Sequence, residues 1–180
     1  VKEMLFDSDK HKWSMNDNEF GTRIKGHRHV CIVIEDMNDN IFGGYCSKEI
    51  GINKFHYDKK SFVFSLKRNG EYTMKKYLLK EGCYDLKVNR NPFKILFRFG
   101  SEDKNNDYYY RDICIHKKDS TNKSMCQQYS YEYNGEENAL RGSSDDFDVK
   151  RIVVYEMEET DKMKQQRERE EQKERENDKT

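Results

Sequence analysis

His27, His29 and Cys31 fall within five residues, in the stretch HRHVC. On an extended chain, side chains two residues apart point the same way. The trio could therefore offer nitrogen and sulfur donors to a metal ion. No fourth ligand stands nearby, so the expectation is a strand with polar residues at its wet end and no bound metal. A second motif, DMNDNI, places Asp36, Asn38 and Asn40 at positions 1, 3 and 5 of a calcium-type loop. Ile41 then occupies the position that needs glycine and Ser47 the one that needs a bidentate glutamate. A hairpin turn accounts for the motif better. Gly43 and Gly44 in FGGYCS could line a phosphate nest, but neither G-x-x-x-x-G-K-[ST] nor G-x-G-x-x-G is present. Glycine within a strand marks a bend or a close approach of another segment.

Catalytic groups are harder to isolate among 34 acidic residues. Glu35 closes an apolar run and Glu132 sits in a tyrosine-rich one, so either could be a carboxylate general acid or base if buried. No G-x-S-x-G elbow accompanies them. Cys46 and Cys114 are the candidate redox thiols; each needs a cationic neighbour to become a reactive thiolate, and a buried inert thiol is the default. No cofactor motif is found.

The elements that must position these groups are mostly strands. VCIVIED (30–36) is almost continuously apolar and reads as a central strand buried on both faces, returning through MNDN into IFGGYCS (41–47). SFVFSLK (61–67) is closed by the Arg-Asn-Gly turn at 68–70. FKILFRFG (93–100) sets Phe93, Ile95, Phe97 and Phe99 against Lys94 and Arg98, a half-buried pattern. Further strands are expected at 108–116, 127–133 and 149–157, and short helices near 14–24 and 135–140. Strands of this number with little helix between them imply a mainly β fold of α+β type: a two-sheet antiparallel β-sandwich with a few short flanking helices.

Residues 158–180 differ in kind. They lack an apolar stripe, and their Glu–Arg and Glu–Lys spacings suit either an exposed helix or a disordered tail. The expected division is a domain over 1–157 and a charged tail over 158–180. That tail carries 9 acidic and 7 basic residues, which leaves 25 acidic against 27 basic in the domain. The balance offers no footprint for nucleic acid. Hydrophobic residues make up only 34% of the chain, but 12 Tyr and 10 Phe can supply the missing burial. No run of about 18 apolar residues marks a transmembrane span. Cysteines at 31, 46, 83, 114 and 126 form no C-x-x-C, which points to free thiols and a reducing, cytoplasmic setting.

In order and spacing these segments resemble the TLDc domain of oxidation-resistance and TBC/LysM-associated proteins. LFDSDKHKWS is similar to the family's opening strand and bend. VCIVIEDMNDNIFGGYCSKEI is similar to its hydrophobic strand, acidic turn and FG return strand, with Gly43 and Gly44 as structural signature. SFVFSL looks like its TFVFTF-type strand. FRFGSEDKNNDYYYRDICIHKK and SYEYNGEENALRGSSDDFDVKRIVVYEME resemble its closing segments. The family's glycine-rich run is reduced here to Gly100, and tyrosine or valine replaces the late tryptophans, so the chain looks like a divergent member. The resemblance implies a β-sandwich with short helices and no agreed catalytic site. It also implies cytosolic proteins that resist oxidative stress and, in several members, bind the vacuolar proton-pumping ATPase. The expected function is thus a non-enzymatic interaction domain, docking on an ATPase subunit or a trafficking partner. The alternatives are a thiol-based peroxide-reactive protein and a hydrolase using Glu132 or Glu35.

Overall fold

The computed structural model describes residues 1–89, 93–101 and 111–179. The chain opens with β1 (Glu3–Asp7) and a one-and-a-half-turn helix α1 (Glu19–Ile24), then runs through β2 (Val30–Asp36), β3 (Ile41–Cys46), β4 (Phe62–Arg68) and β5 (Glu71–Leu78). It continues with β6 (Tyr84–Val88), β7 (Ile95–Ser101), β8 (Ile113–His116), β9 (Met125–Cys126) and β10 (Val149–Glu156), and ends in helix α2 (Asp161–Asn177). Two antiparallel sheets result. One has six strands in the order β1-β10-β2-β3-β4-β5, the other four in the order β6-β7-β8-β9.

Aromatic and branched side chains fill the space between the sheets. Ile32, Ile34 and Phe42 from one sheet, Phe97 and Phe99 from the other, and Ile152 and Val154 from β10 are all fully buried. β2 alternates strictly: Val30, Ile32 and Ile34 are buried, while Cys31, Val33 and Glu35 are half-exposed. The strand expected to be buried on both faces thus has one wet face, as an antiparallel sheet permits. The two glycines of β3 make room. A Cβ on Gly44 would collide with the Phe99 ring of the opposite sheet, and one on Gly43 with the Ile32 carbonyl and the Phe64 ring. Phe99 therefore packs directly onto bare backbone, and the sheets close together there. Gly100 is held at φ 93, where only glycine is comfortable, with the Asp112 carboxylate against its α-carbon.

The expected elements need several corrections. The sequence pattern predicts neither β5 nor β6. β5 alternates at its start, Tyr72 and Met74 against Glu71, Thr73 and Lys75, but the apolar side chains face solvent at a sheet edge and the alternation breaks at Lys75 and Lys76. Its signal lay in the turn before it, where Asn69 (φ 51) and Gly70 (φ 81) form the doubly left-handed pair of a two-residue hairpin. Residues 127–133 are not a strand, apart from a single bridge between Tyr131 and Leu79. The Tyr129 and Ser130 amides donate instead to the Asp112 carboxylate. Residues 135–140 form turns rather than a helix. Gly135 and Asn138 have positive φ, and the Gln128 amide spans the segment by donating to the Glu136 carbonyl and accepting from the Ala139 N–H. Arg98 is buried over the Phe55 ring rather than facing water. Of the strand expected over 108–116, residues 108–110 lie outside the described residues.

The charged tail is a helix. The Thr160 hydroxyl caps it by accepting from the Met163 N–H, and no residue of it is buried. Ion pairs tie it to the body: Lys60 to Glu170 at 3.2 Å and Arg28 to Glu171 at 3.8 Å. Arg167 links Glu159 to Glu171 across its first turns.

Candidate functional site

The open edge of the six-stranded sheet is the first candidate. Among the described residues, β5 pairs only with β4. Its C-terminal end is covered: the Leu78 carbonyl accepts from Glu132 N–H, and Lys80 N–H donates to the Ser130 carbonyl. Upstream of that cover, Tyr72 is 78% and Met74 73% exposed. Met74 has φ 51, and the register with β4 slips between Ser65 and Lys67, so a bulge pushes this part of the edge outward. Lys75 and Tyr77 are fixed beside it through Glu136, which accepts from both side chains. Large apolar side chains on a strand with an unpaired outer edge are what a partner strand or loop would bury.

The second candidate is interior. Several carboxylates are buried, in contrasting surroundings. Asp36 closes the β2–β3 turn: it accepts from the Asn38 and Asn40 amides and the Asn40 side chain, and pairs with Arg141 Nε at 2.7 Å, both side chains being at most 2% exposed. The calcium-like spacing of DMNDN thus serves a turn whose acceptor is already filled by protein donors. Asp112 accepts from Tyr129 N, Ser130 N and the Tyr133 hydroxyl. Burial raises it to about 6, and those three donors hold the rise back.

Asp85 is different. It is 1% exposed, and neither carboxylate oxygen has a partner at ordinary hydrogen-bond geometry, the Leu86 amide and the Cys46 thiol being the donors that face it. Burial raises it too, to about 6. It projects from β6 toward Cys46 at the end of β3 and Asp58 in the loop between β3 and β4. Donor atoms of Cys46, Asp58 and Asp85 all lie within 4.8 Å of one another. Asp58 is oriented by the Ser47 amide and hydroxyl on one oxygen and the Lys60 amide on the other. His56 locks the adjoining loop to β6. Its ring bridges Gly51 N–H and the Leu86 carbonyl, and its backbone carbonyl accepts from Asp85 N–H.

The structure scatters most residues singled out from sequence. The strand alternation begins only at Val30, and His29 has φ 53, so His27, His29 and Cys31 do not share a face. His27 meets Glu156 at 3.2 Å and neighbours Glu3. His29 meets the Tyr45 hydroxyl at 2.7 Å and Glu159 at 3.3 Å. Glu35 pairs with Lys150, and Glu132 is exposed. Neither lines either of two grooves, of about 420 and 250 Å³, beside Gln128 and Arg141 and beside Trp13 and His116 respectively. Cys46 and Cys114 are both fully buried, and burial raises both thiols. For Cys114 the nearby Arg111 guanidinium offsets the rise only in part. Such thiols form little thiolate at neutral pH.

Sequence reading missed Asp58, Asp85, Asp112, Tyr72 and Met74. Asp85 carried a faint signal, since in YDLKV it falls opposite Tyr84, Leu86 and Val88. Only the packing of one sheet on the other buries it.

A family model of the TLDc domain matches residues 2–158. No curated protein matches the chain.

Proposed function

The chain belongs to the TLDc domain family, and from that premise we propose that it is a non-enzymatic docking module acting in the cytoplasm. Its partner is a subunit of the vacuolar proton-pumping ATPase, the class of partner implied by the family resemblance, and its role is in resistance to oxidative stress. The open edge of β5 carries the reading. It presents Tyr72 and Met74 to solvent on a strand whose outer edge there has no strand partner among the described residues, and aromatic and methionine side chains are the residue types enriched where protein partners meet. The alternatives gather less support. A peroxide-reactive thiol needs an accessible thiolate, whereas Cys46 and Cys114 are buried thiols. A carboxylate hydrolase needs a cleft, and Glu35 and Glu132 line neither groove.

Affinity purification of the full chain tests this, comparing the parent with a Tyr72→Lys, Met74→Lys double variant. The expected result is recovery of an ATPase subunit by the parent, lost in a variant that melts like it. Equal recovery by both would remove β5 as the docking edge. Recovery of other proteins without an ATPase subunit would remove the assigned partner.

A further inference from the structure

We propose that Cys46, Asp58 and Asp85 form a binding site for a divalent transition-metal ion, Zn²⁺ by the nature of its donors, that clamps the two sheets together. Cys46 stands on β3 of the six-stranded sheet and Asp85 on β6 of the four-stranded one, with Asp58 supplied by the intervening loop. Their donor atoms lie within 4.8 Å of one another, close enough to converge on one ion at ordinary ligand distances. The three residues are 0%, 3% and 1% exposed.

The independent sign of a ligand is Asp85. A carboxylate shut from water with neither oxygen met at ordinary hydrogen-bond geometry, only the Leu86 amide and the Cys46 thiol facing it, is a costly arrangement that a protein seldom keeps. Asp36 and Asp112 show that this same fold supplies donors to a buried carboxylate when it only has to be accommodated. Asp58 is held by three donors, which is how the outer partners of a metal ligand fix its orientation. The Ser47 and His56 contacts are therefore positioning contacts for the loop that delivers Asp58 and meets β6.

The donor set selects the ion. A thiolate disfavours Mg²⁺ and Ca²⁺, which take oxygen ligands, whereas one sulfur and two carboxylates suit Zn²⁺ with a fourth position left for another donor. Loading replaces the thiol proton of Cys46 and any carboxyl proton with the ion, so protons are released to solvent. No electron transfer is involved.

Co²⁺ serves as the optical probe. It is titrated into the reduced, chelator-stripped full chain, and separately into chain refolded in its presence because the cluster is sealed. The proposal expects a thiolate-to-cobalt charge-transfer band that Zn²⁺ displaces, abolished by Cys46→Ser and retained by Cys31→Ser. Asp85→Asn is expected to weaken Zn²⁺ binding about tenfold or more and to remove the Zn²⁺-dependent rise in Tm. No band in the folded chain by either route, or an unchanged band in Cys46→Ser, overturns the site. Should Cys46→Ser fail to fold, equal Zn²⁺ affinity in the parent and Asp85→Asn overturns it.

Discussion

Asp36 and Asp85 are both 1% exposed, yet they sit in opposite electrostatic environments. Asp36 is met by Arg141 and three donors from its own turn. Asp85 is faced by another acid, Asp58, and by the Cys46 thiol and Leu86 amide, none of which meets either oxygen at ordinary hydrogen-bond geometry. Asp112 stands between them, satisfied by neutral donors without a cation. The difference teaches which buried acids build the fold and which one the fold carries. A carboxylate whose every neighbour donates cannot be removed without stranding those donors. One that no neighbour meets at ordinary hydrogen-bond geometry can be replaced at little loss, and a ligand would satisfy it.

Breaking the first environment has the largest expected effect. Arg141→Leu leaves Asp36 buried and uncompensated, and removes the guanidinium stacked 4.1 Å from the Phe147 ring centroid. A loss of about 3–5 kcal/mol is expected in chemical denaturation. Asp112→Ala strands the Tyr129 and Ser130 amides and the Tyr133 hydroxyl, for an expected loss of about 3 kcal/mol.

Asp112 also predicts a pH dependence. The folded chain keeps its proton up to about pH 6, whereas the unfolded chain releases it near 3.8. Within that window the native state binds more protons. The contribution is therefore fully present below pH 3.8 and is lost as pH rises through 6. Melting curves of Asp112→Asn should lack that decline, and an identical slope in parent and variant would show that Asp112 titrates normally.

Asp85→Leu is expected to leave the metal-free protein within about 1 kcal/mol of the parent, or above it, because it removes an unsatisfied acid. A loss as large as that of Arg141→Leu would erase the contrast between the two sites. The smallest effect belongs to the tail. Deleting residues 158–180 removes a helix with no buried residue, its exposed or half-exposed ion pairs and the Glu159 contact to buried His29. Cooperative melting should persist with little change in Tm.

Much of the architecture was legible in local pattern. β2, β3, β4 and β10 each follow an apolar run at or near the expected bounds, and the turn after β2 lies where MNDN predicts. Legibility failed where the determinant is not local. β5 is an edge whose Tyr72 and Met74 alternate with polar residues yet stay exposed, so the pattern marks no core face. The run 127–133 alternates like a strand, but its amides are captured by Asp112, which is distant in sequence.

The candidate sites divide the same way. Sequence alone determined the family resemblance, the mainly β class, the absence of a phosphate-loop motif and the helical potential of a tail rich in Glu–Arg pairs. It identified Gly43 and Gly44 as places of a bend or of a close approach by another segment. Only tertiary structure decided what fills that room, namely the Phe99 ring of the other sheet. It alone brought Cys46, Asp58 and Asp85 together and left Tyr72 and Met74 on an open edge. The physical reason is that burial and proximity arise when one sheet packs on another. A residue's type and its near neighbours fix the face it takes on its own strand, but not which strand will cover that face.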